Sequence, residues 1–184
     1  MLYQLRSVKV PVLTAIFLMT AFSQAGCSSG STGTSSSSAP TTVSGVVSAG
    51  PVNGATVTAY LLNANGSQGA KLLSTTTDSV GRYSMSLDAQ PSPVVFVATG
   101  GSYVEEASNL TISIGSAQLR TVLSNTSLTQ QIAITPITEI AVQHVLSSVS
   151  ANSGSSLSSL IQTANAKIAS GMGLTDITLP PADP

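Results

Sequence analysis

From Val43 to about Ile134 the chain alternates short β-rich runs with Gly, Asn, Asp and Pro turns. That punctuation is the pattern of an all-β domain. The runs Val43–Ser48, Ala55–Leu62, Lys71–Thr76, Arg82–Leu87, Pro93–Thr99, Leu110–Ile114, Leu119–Leu123 and Gln130–Thr135 are the expected strands. Tyr83, Met85 and Leu87 alternate with Arg82, Ser84 and Ser86, which gives one buried and one wet face. Leu110, Ile112 and Ile114 alternate in the same way with Thr111 and Ser113. Val94-Val95-Phe96-Val97-Ala98 is apolar on both faces, as suits a central strand covered on both sides.

The turns have local causes. Pro51-Val52-Asn53-Gly54 is a tight connection in which Pro presets φ, and Gly54 is expected as a structural turn residue. Asn65-Gly66 follows Leu62, where a positive φ costs little. Asp78-Ser79-Val80-Gly81 joins two strand runs. Asp78 is expected to accept from backbone N–H groups, and Gly81 to take the left-handed position.

Composition narrows the function classes. Only 7% of the 184 residues are charged, against about 25% in an average globular protein. Six basic and seven acidic residues give a net charge of −1, which excludes a basic nucleic-acid face. One Cys excludes an internal disulfide, and one His excludes a His-rich metal site. No P-loop, no G-x-G-x-x-G after a strand and no C-x-x-C is present. No metal and no cofactor are expected.

Residues 1–26 read as an export signal. Arg6 and Lys9 form a positive start, and Val10 to Phe22 is an apolar stretch too short for a bilayer, which needs about 20 residues. Ser23-Gln24-Ala25-Gly26-Cys27 resembles a bacterial lipobox. The resemblance implies a lipoprotein cut before Cys27 and acylated on that residue, hence a membrane partner through a lipid anchor. Ser28 stands where an Asp favours inner-membrane retention, which implies the outer membrane of a Gram-negative cell. Ser23-Gln24-Ala25 also satisfies the rule for an ordinary cut, which leaves a secreted protein with a free thiol. Residues 27–42 follow as the lipidated Cys and a Ser/Thr/Gly tether, disordered and reaching roughly 20 Å.

Three spaced elements of the β region carry a second resemblance. Gly45-Val46-Val47, then Pro51-Val52-Asn53-Gly54-Ala55-Thr56-Val57, then Thr77-Asp78-Ser79-Val80-Gly81-Arg82-Tyr83 look like the carboxypeptidase regulatory-like domain. That family implies a transthyretin-like (prealbumin-like) sandwich, also grouped with starch-binding-like, carbohydrate-binding folds. The expected fold is therefore mainly β: a Greek-key-type β-sandwich over residues 43–135, then two short α-helices. The motif residues belong to turns and core, so they assign no activity.

Residues 136–172 are expected as a helical appendage. Thr135 suits an N-cap, Pro136 the first helical position and Glu139 the positive end of the dipole. Ile137, Ile140, Ala141, His144, Val145 and Leu146 share one expected face. A second helix starts near Ser155 or Ser156, with Leu157, Leu160, Ile161, Ala164 and Ile168 at helical spacing. Gly171 and Gly173 are stop signals. Residues 173–184 are expected as an extended tail with no closing element. This ending predicts that the chain continues into further helical sequence and that the helices form a loose tail.

The site residues are few. Glu105 and Glu106 are adjacent acids, solvated or able to hold a cation together. Tyr103 in a Gly-rich loop is the expected exposed ring for a ligand, whereas Tyr60 and Tyr83 fall at core positions. His144 is the only imidazole, lies in a helix and has no G-x-S-x-G elbow to serve. No catalytic residue is expected. The leading expectation is a non-catalytic structural or adhesive module of the cell envelope, whose partner is another surface protein or a glycan. A carbohydrate-binding surface module is the alternative, and an accessory domain of a peptidase ranks last.

Overall fold

The computed structural model describes residues 40–151 and 154–180. The expected signal, Cys27 and the tether up to residue 39 lie outside the described residues. Among the described residues nine strands run in order: β1 (Pro40–Val47), β2 (Thr56–Leu62), β3 (Gln68–Thr76), β4 (Arg82–Asp88), β5 (Val94–Thr99), β6 (Ser102–Glu105), β7 (Leu110–Ser113), β8 (Gln118–Leu123) and β9 (Gln130–Ile134). Two helices follow, α1 (Pro136–Ala151) and α2 (Leu157–Gly171). The fold is mainly β, a sandwich followed by two helices.

One sheet has the order β4-β1-β9 and the other β3-β2-β5-β8. The period of two decides what lies between them. Val43 and Val47 of β1, Met85 and Leu87 of β4 and Ile132 of β9 point inward. They meet Val57 and Ala59 of β2 and Val94, Phe96 and Ala98 of β5. Tyr83 joins this core, and its hydroxyl donates to the Ile132 carbonyl at 3.3 Å. Burial pushes that hydroxyl well above the usual phenol range, so it stays a neutral donor.

The run Val94 to Ala98 is buried on both faces. Val95 and Val97 point away from the sandwich core, beside Leu62 and Val122. Val142 and Val145 of α1 and Ile161 and Ala164 of α2 cover them. The helices are a third layer on the β2-β5-β8 face. This overturns the expectation of a loose helical tail: both apolar stripes are already covered by the sheet and by one another. The described residues fall within a single compact unit.

Helix α1 begins as its residues require. Thr138 N–H donates to the Thr135 hydroxyl at 3.2 Å, and Thr135 N–H to the Thr138 hydroxyl at 2.9 Å. Glu139 does more than complement the dipole: it takes a bidentate pair from Arg120 of β8, at 3.0 and 2.6 Å. The buried face differs by one step from the expected one. Ile140 is 54% exposed, and Val142 turns inward in its place. Ser156 caps α2 by accepting from Ser159 N–H at 3.2 Å.

Three boundaries are corrected. Pro40-Thr41-Thr42, expected in the tether, is the start of β1, paired from Pro40 to Asp88 and from Thr42 to Ser86. Pro suits this place because the first residue of a strand need not donate, and Thr is a good strand former. β6 was expected as loop. The tail is partly docked: Ile177 is buried against Ala141 and Ala169, and the Thr178 carbonyl accepts from Ala133 N–H at 2.7 Å. That bond caps the free edge of β9, which pairs in parallel with β1 on its other side.

The turn between β3 and β4 is tight. Gly81 has φ +77°, and a Cβ there would lie 2.6 Å from the Val47 carbonyl oxygen and 2.9 Å from Val52 N. Gly81→Val is expected to lower stability by roughly 2 kcal/mol or more, from left-handed strain and backbone clash together. A urea melt with an unchanged midpoint would contradict this placement.

Candidate functional site

Strand directions sort the loops into two ends. Pro40 pairs with Asp88 at one end of β1, and Val46 with Arg82 at the other. Val47 N–H then donates to the Gly81 carbonyl at 2.8 Å, and Val52 N–H to the Val47 carbonyl at 3.1 Å. The end away from Pro40 therefore gathers residues 48–55, 77–81 and 99–117. Gly54, Asp78, Gly81, Tyr103, Glu105 and Glu106 all stand there.

A buried hydroxyl organises this end. Thr77 is buried, donates to the Val52 carbonyl at 2.7 Å and accepts from Ala55 N–H at 2.9 Å. Asp78 follows and is exposed. One of its oxygens accepts from Val80 N–H at 3.0 Å and from Arg82 N–H at 2.8 Å. Gly54 takes φ +72°, and its N–H donates to the Thr77 carbonyl at 3.3 Å. These residues build the turns and hold one loop to the next.

On this base stands the β6–β7 ribbon, a separate two-stranded sheet. Asn53 and Ser102 exchange both backbone hydrogen bonds, at 2.8 and 3.0 Å. Gly101 permits the approach, since a Cβ there would lie 2.7 Å from both Ala55 N and the Asn53 carbonyl oxygen. Tyr103 packs half-buried on the sandwich core, next to Gly50, whose Cβ would meet the ring at 2.8 Å. The expectation of an exposed Tyr103 ring is corrected: one side of the ring belongs to the core. Two successive glycines hid this strand, because Gly100 and Gly101 read as loop although both serve to turn the chain into β6.

The ribbon carries exposed apolar side chains. Val104 is 50% exposed and Leu110 61%. The register pairs Tyr103 with Ile112 and Glu105 with Leu110, so these four share one face. Ser108 donates a short hydrogen bond to the Glu105 carboxylate, and Asn109 closes the turn with φ +54°. Glu106 is exposed beside them. Residues 99–117 hold these two acids and no Lys or Arg. Among the described residues there is no group of three or more His, Cys, Asp or Glu able to hold a metal ion.

His144 lies on the other side of the sheet system, half-buried on α1. Its Nδ1 lies 3.3 Å from the Ser148 hydroxyl and its Nε2 3.4 Å from Lys167 Nζ. Tyr60 is half-buried under the helices. Among the described residues no helix is long and apolar enough to cross a membrane.

Comparison with family models, with curated proteins and with solved structures finds no match to the chain. The residues that define the exposed end are thus known from geometry alone. Sequence reasoning passed over Thr77 as a latch, although it sits in the Thr77-Asp78 pair, and over Val104 because its strand was not expected.

The base and the exposed tip of the ribbon should respond differently to substitution. Tyr103→Ala is expected to cost roughly 1–3 kcal/mol, since it opens the core at the ribbon base. Val104→Ser with Leu110→Ser is expected to stay within about 0.5 kcal/mol per site, as for other surface changes. Thermal melts compare them directly, and a large loss in the double variant would mean that the ribbon tip is part of the core.

Proposed function

We propose that this chain is a cell-envelope lipoprotein whose sandwich holds a contact element away from the membrane, without catalysis. The observation that carries the reading is the placement of Pro40 and the β6–β7 ribbon at opposite ends of the sandwich. Whatever precedes Pro40 is joined to one end. If Cys27 is the lipid anchor, the ribbon is the end that faces outward.

Physical chemistry favours the ribbon as the contact element. Its exposed Val104, Leu110 and Ile112 are apolar groups that gain by leaving water. Glu105 and Glu106 beside them disfavour anionic surfaces and suit a protein partner with an apolar patch and basic rim. The charge-poor sandwich behind it is a rigid support, and its Thr77 latch and Gly101 approach fix the ribbon's base.

One experiment examines both halves. A photo-crosslinking residue replaces Leu110 in whole cells, in the parent chain and in a Cys27→Ser chain. The parent is expected to fractionate with membranes, to label with a fatty-acid probe and to give a discrete crosslinked protein adduct. The Cys27→Ser chain is expected to lose membrane fractionation and label. Unchanged labelling in Cys27→Ser would overturn the anchor, and a parent chain with no adduct at Leu110 would overturn the contact element.

A further inference from the structure

We propose that the open pocket between α2, the end of β8 and the docked tail is a binding site for a single neutral, hydroxyl-rich ring, such as one sugar residue of a glycan. The pocket measures about 290 Å³, at the low end for ligand sites. That volume suits one ring and excludes a dinucleotide or a long acyl chain.

The lining sets the chemistry. Leu123, Ile161 and Ala169 are buried and form an apolar floor. Ser124, Gln162, Asn165 and Asp176 surround it with one hydroxyl, two carboxamides and one carboxylate. Asp176 is held in place: one oxygen accepts from Thr178 N–H at 2.8 Å and from the Thr178 hydroxyl at 2.7 Å. Its other oxygen has no hydrogen-bond partner among the described residues. Asn165 is steered by a bond of 3.4 Å from its amide nitrogen to the Val122 carbonyl, which leaves its carbonyl oxygen as an acceptor. The Gln162 carboxamide is exposed and has no hydrogen-bond partner among the described residues.

This set discriminates between ligand classes. No Lys, Arg or His lines the pocket, so a phosphate or carboxylate ligand would find no positive charge there and would meet the repulsion of Asp176. A sugar ring offers C–H patches for the apolar floor and hydroxyls around its edge. Each hydroxyl can donate to the free Asp176 oxygen or to Asn165, and accept from Gln162. A preset acceptor that carries charge gives the stronger hydrogen bond. A simple amine is the competing ligand, attracted by the carboxylate but offering no acceptor to the Gln162 amide N–H and no ring to the apolar floor.

The tail creates the pocket. Ile177 is buried between the helices, and the Thr178 carbonyl accepts from Ala133 N–H. These two contacts hold Asp176 over α2. The pocket shares no residue with the β6–β7 ribbon, so this proposal and the contact reading stand or fall separately.

The test uses the whole chain in a detergent without a sugar headgroup. Methyl glucoside, methyl galactoside, N-acetylglucosamine and propylamine are titrated while backbone amide shifts are followed. At least one sugar is expected to bind saturably in the millimolar range, with shifts confined to residues 122–124, 161–169 and 175–178. Asp176→Asn keeps the acceptor for Thr178 and is expected to weaken that sugar about tenfold or more, with the melting temperature unchanged. Gln162→Ala is expected to weaken it as well. Propylamine binding without any sugar binding would overturn the proposal, as would the absence of saturable shifts or a sugar affinity indifferent to both substitutions.

Discussion

The two-sided burial of β5 is the constraint on which the rest of this structure depends. Five consecutive apolar residues, Val94 to Ala98, cannot leave either face wet, since burying one large apolar side chain is worth about 1.5–3 kcal/mol. Hydrogen bonding places β5 between β2 and β8. One face then takes the β4-β1-β9 sheet and the other takes α1 and α2. The helices are thus demanded by the sheet. Because α1 follows β9 directly and packs on β8, the Arg120–Glu139 pair joins the layers where the chain changes from strand to helix. The pair is only slightly exposed, so its bidentate geometry is shielded from solvent screening more than a surface pair would be.

Polar groups decide how the ends are finished. At one end, Thr126 is fully buried and ties two loops together, its N–H donating to the Gln90 carbonyl at 2.8 Å and its hydroxyl accepting from Gln90 N–H at 3.2 Å. At the other, Thr77 does the same for the loops under the ribbon. In a chain so poor in charge, hydroxyls perform the work that ion pairs perform elsewhere. A buried Thr can satisfy a backbone donor and acceptor at once, with a methyl group left for the core. The ribbon inherits its position from this network, and the pocket inherits its position from the tail that caps β9.

Much of this was legible in sequence, for identifiable reasons. Tyr83, Met85 and Leu87 declared a one-sided strand because the solvent face of β4 is wet. Val94 to Ala98 declared a two-sided one, and that run already required the third layer. Asp78 and Gly81 marked their turn because few residues stabilise or tolerate that backbone. Other features left weaker traces. The parallel pairing of β1 with β9 joins residues 87 positions apart, such as Val43 and Gln130, and local pattern carries no information about it. β6 is four residues long, too short for alternation to stand out beside two glycines. Ile140 and Val142 are equally apolar, and only docking on the sheet decides which turns inward. The docking of the tail left little trace, because one buried apolar residue, Ile177, and one backbone bond, from Ala133 N–H to the Thr178 carbonyl, hold it. The pocket could not be foreseen, since α2, β8 and the tail supply its lining from three separate stretches.

The central claim is that the helices are a structural layer of the sandwich and share its stability. Native-state hydrogen exchange measures this residue by residue. The amides of Val142, Val145, Ile161 and Ala164 are expected to open with the same free energy as those of Val95, Val97 and Val122. Helix amides that exchange through a separate, lower-energy opening, while the strands stay protected, would contradict the account.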